Sequence, residues 1–201
     1  MSWWKKALRV VQINIEDRYS RYLTKLSGKD LIKIIKELNA NVLVLFARDP
    51  WGRKFYSSNH YQHPKLKYDL IKEVINEAHK ENIKVIVMVA HTANKKVFSE
   101  HSEWAQVNYK GEVILLEHAP KEGTYIPEWP QICINSPYFN MLKEEVNEAV
   151  NLGADGVFLD SFRYQPDFER ACYCVWCQRM FKDEKGYEMP REPNWSDSRW
   201  K

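Results

Sequence analysis

The chain has 201 residues, 44% of them hydrophobic, and a formal net charge of +3, so one compact domain is the default and two small ones the alternative. Lysines and arginines are interleaved with acids along the whole length, leaving no basic stripe to track a nucleic-acid backbone, and nucleic acid is not an expected partner. The start, "MSWWKKALRV", lacks the apolar run of a secretion signal and nothing approaches the ~18 apolar residues of a membrane helix, so the expectation is a cytoplasmic chain with no membrane partner.

In chain order, "RVVQINI" (9–15) is rich in β-formers. "SGKDLIKIIKELN" (27–39) follows as a helix, with Ser27 as N-cap and Asp30 three residues on. "ANVLVLFA" (40–47) reads as a second strand, "HPKLKYDLIKEVINEAHKENI" (63–83) as a helix opened by Pro64, and "KVIVMVAH" (84–91) as a third strand. A loop-rich insertion (about 92–134) leads to the helix "SPYFNMLKEEVNEAVNLG" (136–153), closed by Gly153. "ADGVFLDSF" (154–162) is the fourth strand, and the tail 191–201 carries no strand signal.

Near-continuous apolar strands alternating with amphipathic helices indicate a parallel sheet covered by helices. Such folds bind ligands at the carboxyl ends of their strands. Here those ends carry Asn14, Glu16 and Asp17, then Arg48 and Asp49, then His91, and finally Asp160 with Arg163. No glycine-rich phosphate loop follows the first strand, which weighs against a nucleotide-binding doubly wound fold.

The segment "ERACYCVWCQRMF" (169–181) places Cys172, Cys174 and Cys177 within six positions of a chain that has four cysteines, the other being Cys133 in "QICINSPYF". Close thiols that set local geometry, plus a distant one that ties in a second segment, suit a closed tetrahedral zinc site. Redox-active thiols and disulfides are the alternatives, the latter disfavoured in a reducing compartment.

Three stretches, "ICINSPYFNMLKEEV", "DGVFLDSFRY" and "CYCVWCQRMFKDEKGYEMP", resemble the barrel domain of the group known as hypothetical glycosyl hydrolase 6, related to the family 42 β-galactosidases. "FYSSNHYQHPKLKYDLIKEVINEAHKENIKVIVMV" and "HSEWAQVNYKGE" share that likeness, which extends over about residues 9–190. The resemblance implies a (β/α)8 TIM-barrel-like α/β fold. It also implies a structural zinc held by Cys133, which precedes Asn135, Ser136 and Pro137, together with Cys172, Cys174 and Cys177. The chain departs from family 42 where that family places its general-acid glutamate, having Leu159, Asp160 and Ser161 instead, so the acid role does not transfer. An aspartate ending the fourth strand resembles the nucleophile of α-L-fucosidases and α-galactosidases, which makes Asp160 the catalytic candidate.

A retaining glycosidase pairs such a nucleophile with a protonated carboxyl about 5 to 5.5 Å away. Glu16, Asp17, Asp49 and Glu128 are the acids considered for that part. Asn14, Tyr56, His60, His63, His91, Trp129, Arg163 and Tyr164 are expected to bind a carbohydrate substrate through hydroxyl hydrogen bonds and ring stacking, while His79, inside a helix, reads as structural. The alternative is a non-catalytic carbohydrate-binding or structural half-barrel. A closed barrel takes ~250 residues. Only about four βα units are found, a partial barrel over 1–190 with a zinc loop at 169–181, so a second copy of the chain or another polypeptide is expected to complete it.

Overall fold

The computed structural model describes residues 2–58, 60–66, 68–90, 92–121, 124–160, 168–192, 194 and 196–198. In chain order its elements are β1 (Val10–Ile13), α1 (Gly28–Glu37), β2 (Val42–Phe46), α2 (Leu70–Lys80), β3 (Lys84–Ala90), α3 (Lys95–Glu100), β4 (Leu115–Lys121), β5 (Thr124–Pro130), α4 (Tyr138–Asn151), β6 (Gly156–Asp160) and α5 (Val175–Lys185). They divide into two compact units, Met1–Ala90 with Leu142–Asp160 and His91–Met141 with Ser161–Lys201.

The first unit holds a parallel sheet in the order β1-β2-β3-β6. Each new strand joins on the same side of the last, whereas a doubly wound sheet would turn back past its first strand. One-way winding of right-handed βαβ units is the geometry of a (β/α)8 barrel, of which the described residues contain four strands. β2 sits in the middle and reads Val-Leu-Val-Leu-Phe, buried at every position as a strand covered on both faces must be. The outer strands are less covered, with Val10 of β1 53% exposed, and Phe158 and Leu159 of β6 42% and 53% exposed.

Local chemistry sets the helix starts. Ser27 Oγ accepts from Asp30 N at 3.1 Å and donates to Asp30 Oδ2 at 2.6 Å, a reciprocal cap that opens α1 and aims Leu31, Ile32 and Ile35 into the core. α2 does not begin at Pro64, which lies in a turn. Asp69 is the residue whose side chain accepts from Lys72 N at 2.9 Å, so the helix starts there, burying Ile71, Val74, Ile75 and Ala78.

α1 and α2 pack closely at Gly28. A Cβ there would stand 2.9 Å from the Val74 backbone nitrogen, and the Gly28 N–H donates to Glu73 Oε1 at 3.1 Å. Gly28→Ala is expected to lower stability by about 1–3 kcal/mol through overpacking, despite alanine's higher helix propensity. An unchanged or higher denaturation midpoint would show that the helices do not meet there.

The second unit corrects the expectation of a loop-rich insertion. β4 and β5 form an antiparallel hairpin with register shifts at Leu116/Glu117 and His118/Lys121. The hairpin carries Pro120, Pro127 and Pro130, which it tolerates because both its strands are edge strands, where a missing N–H costs little. Bridges Ala93–Gln131, Ala105–Ile132 and Val107–Val113 extend the pairing. The segment read as a zinc loop is helical from Val175, with Cys174 at the N-cap position. Gly186 closes the helix at φ 77°, its N–H on Lys182 O at 2.8 Å. No described helix is long and apolar enough to cross a membrane.

Candidate functional site

In the first unit the strand ends gather the polar residues. Asp160 is the last residue of β6, half-buried and paired in register with Ala90 of β3. Asn14, just past β1, is exposed and its Oδ1 accepts from Gln12 Nε2 at 3.0 Å. With Glu16, Tyr22 and Lys25 it lines a cavity of about 430 Å³ beyond the strand.

At the end of β2, Arg48 is fully buried. Its Nε lies 3.2 and 3.3 Å from the two carboxylate oxygens of Glu145 on α4, itself 2% exposed, and its Nη1 donates to Asp49 O at 3.2 Å. Asp49 accepts from Arg53 N and Nε at 3.0 and 2.7 Å. Burial raises its pKa against the pull of Arg53 and Arg48. Arg53 reaches on to the carbonyls of Arg18 and Asp17. Asp17 accepts from Tyr22 N and Leu23 N at 2.7 and 3.0 Å. Burial works to raise its pKa, but the backbone N–H groups of Leu23, Tyr22 and Arg21 and the charge of Arg53 hold it low. Both acids thus serve as acceptors that fix the loops after β1 and β2.

The side chains expected to bind substrate take different positions. His60 is exposed, its ring 6.1 Å from that of Tyr61. Tyr56 is buried and donates to Glu148 Oε2 at 2.6 Å; Lys54 Nζ (2.7 Å) and Ser58 Oγ (2.8 Å) bond the same carboxylate. Burial raises the Glu148 pKa, but these three donors outweigh it and hold it low, while burial, Glu145 and Glu148 push the Tyr56 phenol up. Nothing in the sequence marked Glu145 or Glu148 as partners of residues more than ninety positions earlier; both simply read as polar positions of an amphipathic helix. Trp129, in the second unit, is 4% exposed. His91, Arg163 and Tyr164 lie outside the described residues. His79 Nε2 meets Asp155 Oδ2 at 2.8 Å, an ion-pair position on the helix.

His63 is 1% exposed. Its Nδ1 accepts from Lys65 N at 3.2 Å, so Nε2 carries the proton and donates to Ser20 Oγ at 3.0 Å. Burial, then the nearby charge of Arg53, pulls its pKa from 6.5 down to about 4. The neutral ring therefore stabilises the fold fully above pH 6.5, and that contribution is lost as pH falls toward 4, by about 3 kcal/mol in total. Unfolding free energies at pH 7.5 and 4.5 should differ in that direction, and His63→Gln should flatten the difference. A flat wild-type profile would contradict it.

The second unit holds the four cysteines. Cys133 stands directly before the turn into α4, Cys172 and Cys174 before α5, and Cys177 in its first turn. All are buried, none is in a disulfide, and their sulfurs lie within 4.8 Å of one another. The backbone brings the segments together through one edge: Cys133 N donates to Trp104 O at 2.8 Å and Tyr173 N to Val107 O at 2.7 Å, while Trp176 Nε1 donates to Glu103 O at 3.3 Å. Cys133 Sγ is 3.4 Å from Cys177 Sγ, which accepts from Asn135 Nδ2 at 3.4 Å. The thiols of Cys133, Cys174 and Cys177 around Cys172 push its pKa up, while hydrogen bonds from Cys133 and Cys172 lower that of Cys174. Tetrahedral thiolates with metal–sulfur bonds of ~2.3 Å sit roughly 3.8 Å apart, so four soft donors at this spacing can hold a metal ion.

Against solved structures, the chain is similar to α-L-fucosidase isoenzyme 2 from Paenibacillus thiaminolyticus, with 23% identity and a TM-score of 0.73 over 89% of this chain and 26% of that one. It is also similar to a hypothetical protein from Ruminiclostridium thermocellum ATCC 27405, with 19% identity and a TM-score of 0.54 over 80% of this chain and 78% of the other. These likenesses establish the fold, and the chain spans about a quarter of the fucosidase's length. No curated protein matches the chain. Residues 27–161, well over half of it, match the family described as hypothetical glycosyl hydrolase 6, and the chain belongs to that family.

Proposed function

We propose that residues 1–190 form the first half of a (β/α)8 glycoside hydrolase barrel acting on a sugar glycoside, with Asp160 as nucleophile and a structural zinc on Cys133, Cys172, Cys174 and Cys177. The observation that carries this reading is the position of Asp160, closing the fourth parallel strand of a sheet wound one way, at the end where barrel enzymes keep their chemistry. Its ionised carboxylate attacks the anomeric carbon while a second, protonated carboxyl gives its proton to the leaving oxygen, and water then hydrolyses the glycosyl ester with retention. Glu16, exposed on the wall of the cavity beyond β1, is the first-unit acid assigned to that partner role; otherwise the completing half supplies it.

Asn14 and His60 are the exposed residues assigned to sugar hydroxyls, and Tyr56 and His63 support the loops behind them; His91, Trp129, Arg163 and Tyr164 are assigned to substrate on their sequence positions alone. Zinc would tie the segment before α4 to the start of α5 and takes no part in bond breaking. The chain is assigned to the cytoplasm, which suits four reduced thiols. Val10, Phe158 and Leu159, exposed on the two outer strands, support completion by a second copy or another polypeptide. A non-catalytic carbohydrate-binding or structural half-barrel is the second reading, favoured by Asp17 and Asp49 serving as acceptors that fix loops.

A panel of aryl α-fucosides, α-galactosides and β-galactosides separates the two. Turnover supports the hydrolase, binding without turnover supports the carbohydrate-binding form of the second reading, and neither supports its structural form. Elemental analysis is expected to find one zinc per chain. Absence of metal, with four titratable thiols in the folded protein, would remove the zinc.

A further inference from the structure

A cavity of about 410 Å³ opens beside the cysteine cluster, walled by Tyr173, Met180, Phe181 and Met189. Cys172 and Cys177 form part of its lining, while Cys133 and Cys174 do not. A small polar molecule entering from solvent therefore comes up against two of the four cysteines. Both bond the far-side Cys133, and Cys177 Sγ does so at 3.4 Å. Cys177 also receives the Asn135 amide, which lines the same cavity and favours negative charge on that sulfur.

We propose that Cys177 is an oxidation site for hydrogen peroxide, with Cys133 as the thiol that resolves it, so that the metal clip responds to oxidant. The inference rests on the reading that the four sulfurs hold zinc. In the first step a peroxide oxygen passes to the Cys177 sulfur: an S–O bond forms, the O–O bond breaks, and a sulfenic acid and water result. In the second step the Cys133 sulfur attacks the Cys177 sulfur, the S–S bond forms, and the hydroxyl leaves as water. Two thiolates lose two electrons, one peroxide is reduced to two waters, and solvent supplies the two protons that the cation had displaced. The sulfurs must close from 3.4 Å to ~2.05 Å.

Loss of two of four ligands ejects the metal, since Cys172 and Cys174 alone cannot close a tetrahedral site. The new bond joins residues 44 positions apart, the same two segments that the metal joined. Oxidation thus exchanges one tie for another.

The test uses the full-length chain loaded with zinc and titrated with hydrogen peroxide. Zinc release is followed with a chromogenic indicator, free thiols are counted, and disulfides are mapped by mass spectrometry without reduction. The expected result is one zinc released per chain as two thiols disappear, with the peptide carrying Cys133 cross-linked to Cys177. Cys133→Ser in the presence of dimedone should carry the adduct on Cys177; if that variant does not fold, the wild-type map decides alone. Retention of zinc while peroxide oxidises methionines, or a disulfide confined to Cys172, Cys174 and Cys177, would overturn the proposal and leave the zinc reading intact. A chain that binds no zinc would overturn that reading separately, and mapping the oxidised metal-free chain would still show whether Cys133 pairs with Cys177.

Discussion

Replacing Asp160 with asparagine is expected to cut hydrolysis of the best aryl glycoside by at least about 10³-fold, because an amide cannot form the glycosyl ester on which the retaining pathway depends. The exchange is nearly isosteric and keeps the backbone pairing of residue 160 with Ala90, so thermal midpoint and metal content should match the wild-type chain. That combination distinguishes chemistry from architecture. A strand-end carboxylate that merely satisfied local donors would lose stability on neutralisation, whereas a nucleophile loses rate alone. Unfolding on replacement would assign Asp160 to structure, and full activity would remove it from the reaction.

Replacing Glu145 with alanine should cost about 3–5 kcal/mol, the largest stability effect expected of a single exchange in the first unit. The Arg48 guanidinium has no exposed surface, and Glu145 is its anionic partner at 3.2 Å. Removing the carboxylate takes that anion away from a cation in a low-dielectric core, where Asp49 O accepts from Nη1 but carries no charge. Removing both partners is a different matter, since buried pairs often exchange for apolar residues at little cost. Arg48→Met with Glu145→Leu should therefore recover most of the loss. Chemical denaturation of the single and paired variants provides the check, and equal losses in both would contradict the account.

The parallel sheet was legible because its strands are continuous apolar runs separated by amphipathic helices at barrel spacing. Ser27 with Asp30 marked α1 correctly for the same reason that it forms: a side-chain oxygen two to three residues ahead of an apolar face satisfies an orphan N–H. Pro64 misled because proline suits a first helical turn but does not compel one, and Asp69 offered the better cap. The hairpin of β4 and β5 was hidden by three prolines that matter little on edge strands. α5 was hidden because its start coincides with the clustered cysteines, Cys174 standing at its N-cap position and Cys177 in its first turn. In the site, the spacing of the thiols foretold their cluster, since short loops bring neighbours together. The partners of Arg48, Lys54 and Tyr56 were not foreseeable. They come from a helix ninety or more residues later, and one sequence carries no signal that two acids of that helix meet buried partners of another segment.

The most direct test of Asp160 as nucleophile is covalent capture. The chain, alone and after any partner that completes the barrel has been added, is incubated with an activated fluorinated glycoside of the sugar that the panel identifies, then digested and sequenced by mass spectrometry. The account predicts one sugar per chain, attached through an ester to Asp160. A label on another carboxylate, or turnover of the parent substrate with no ester at Asp160, would contradict it.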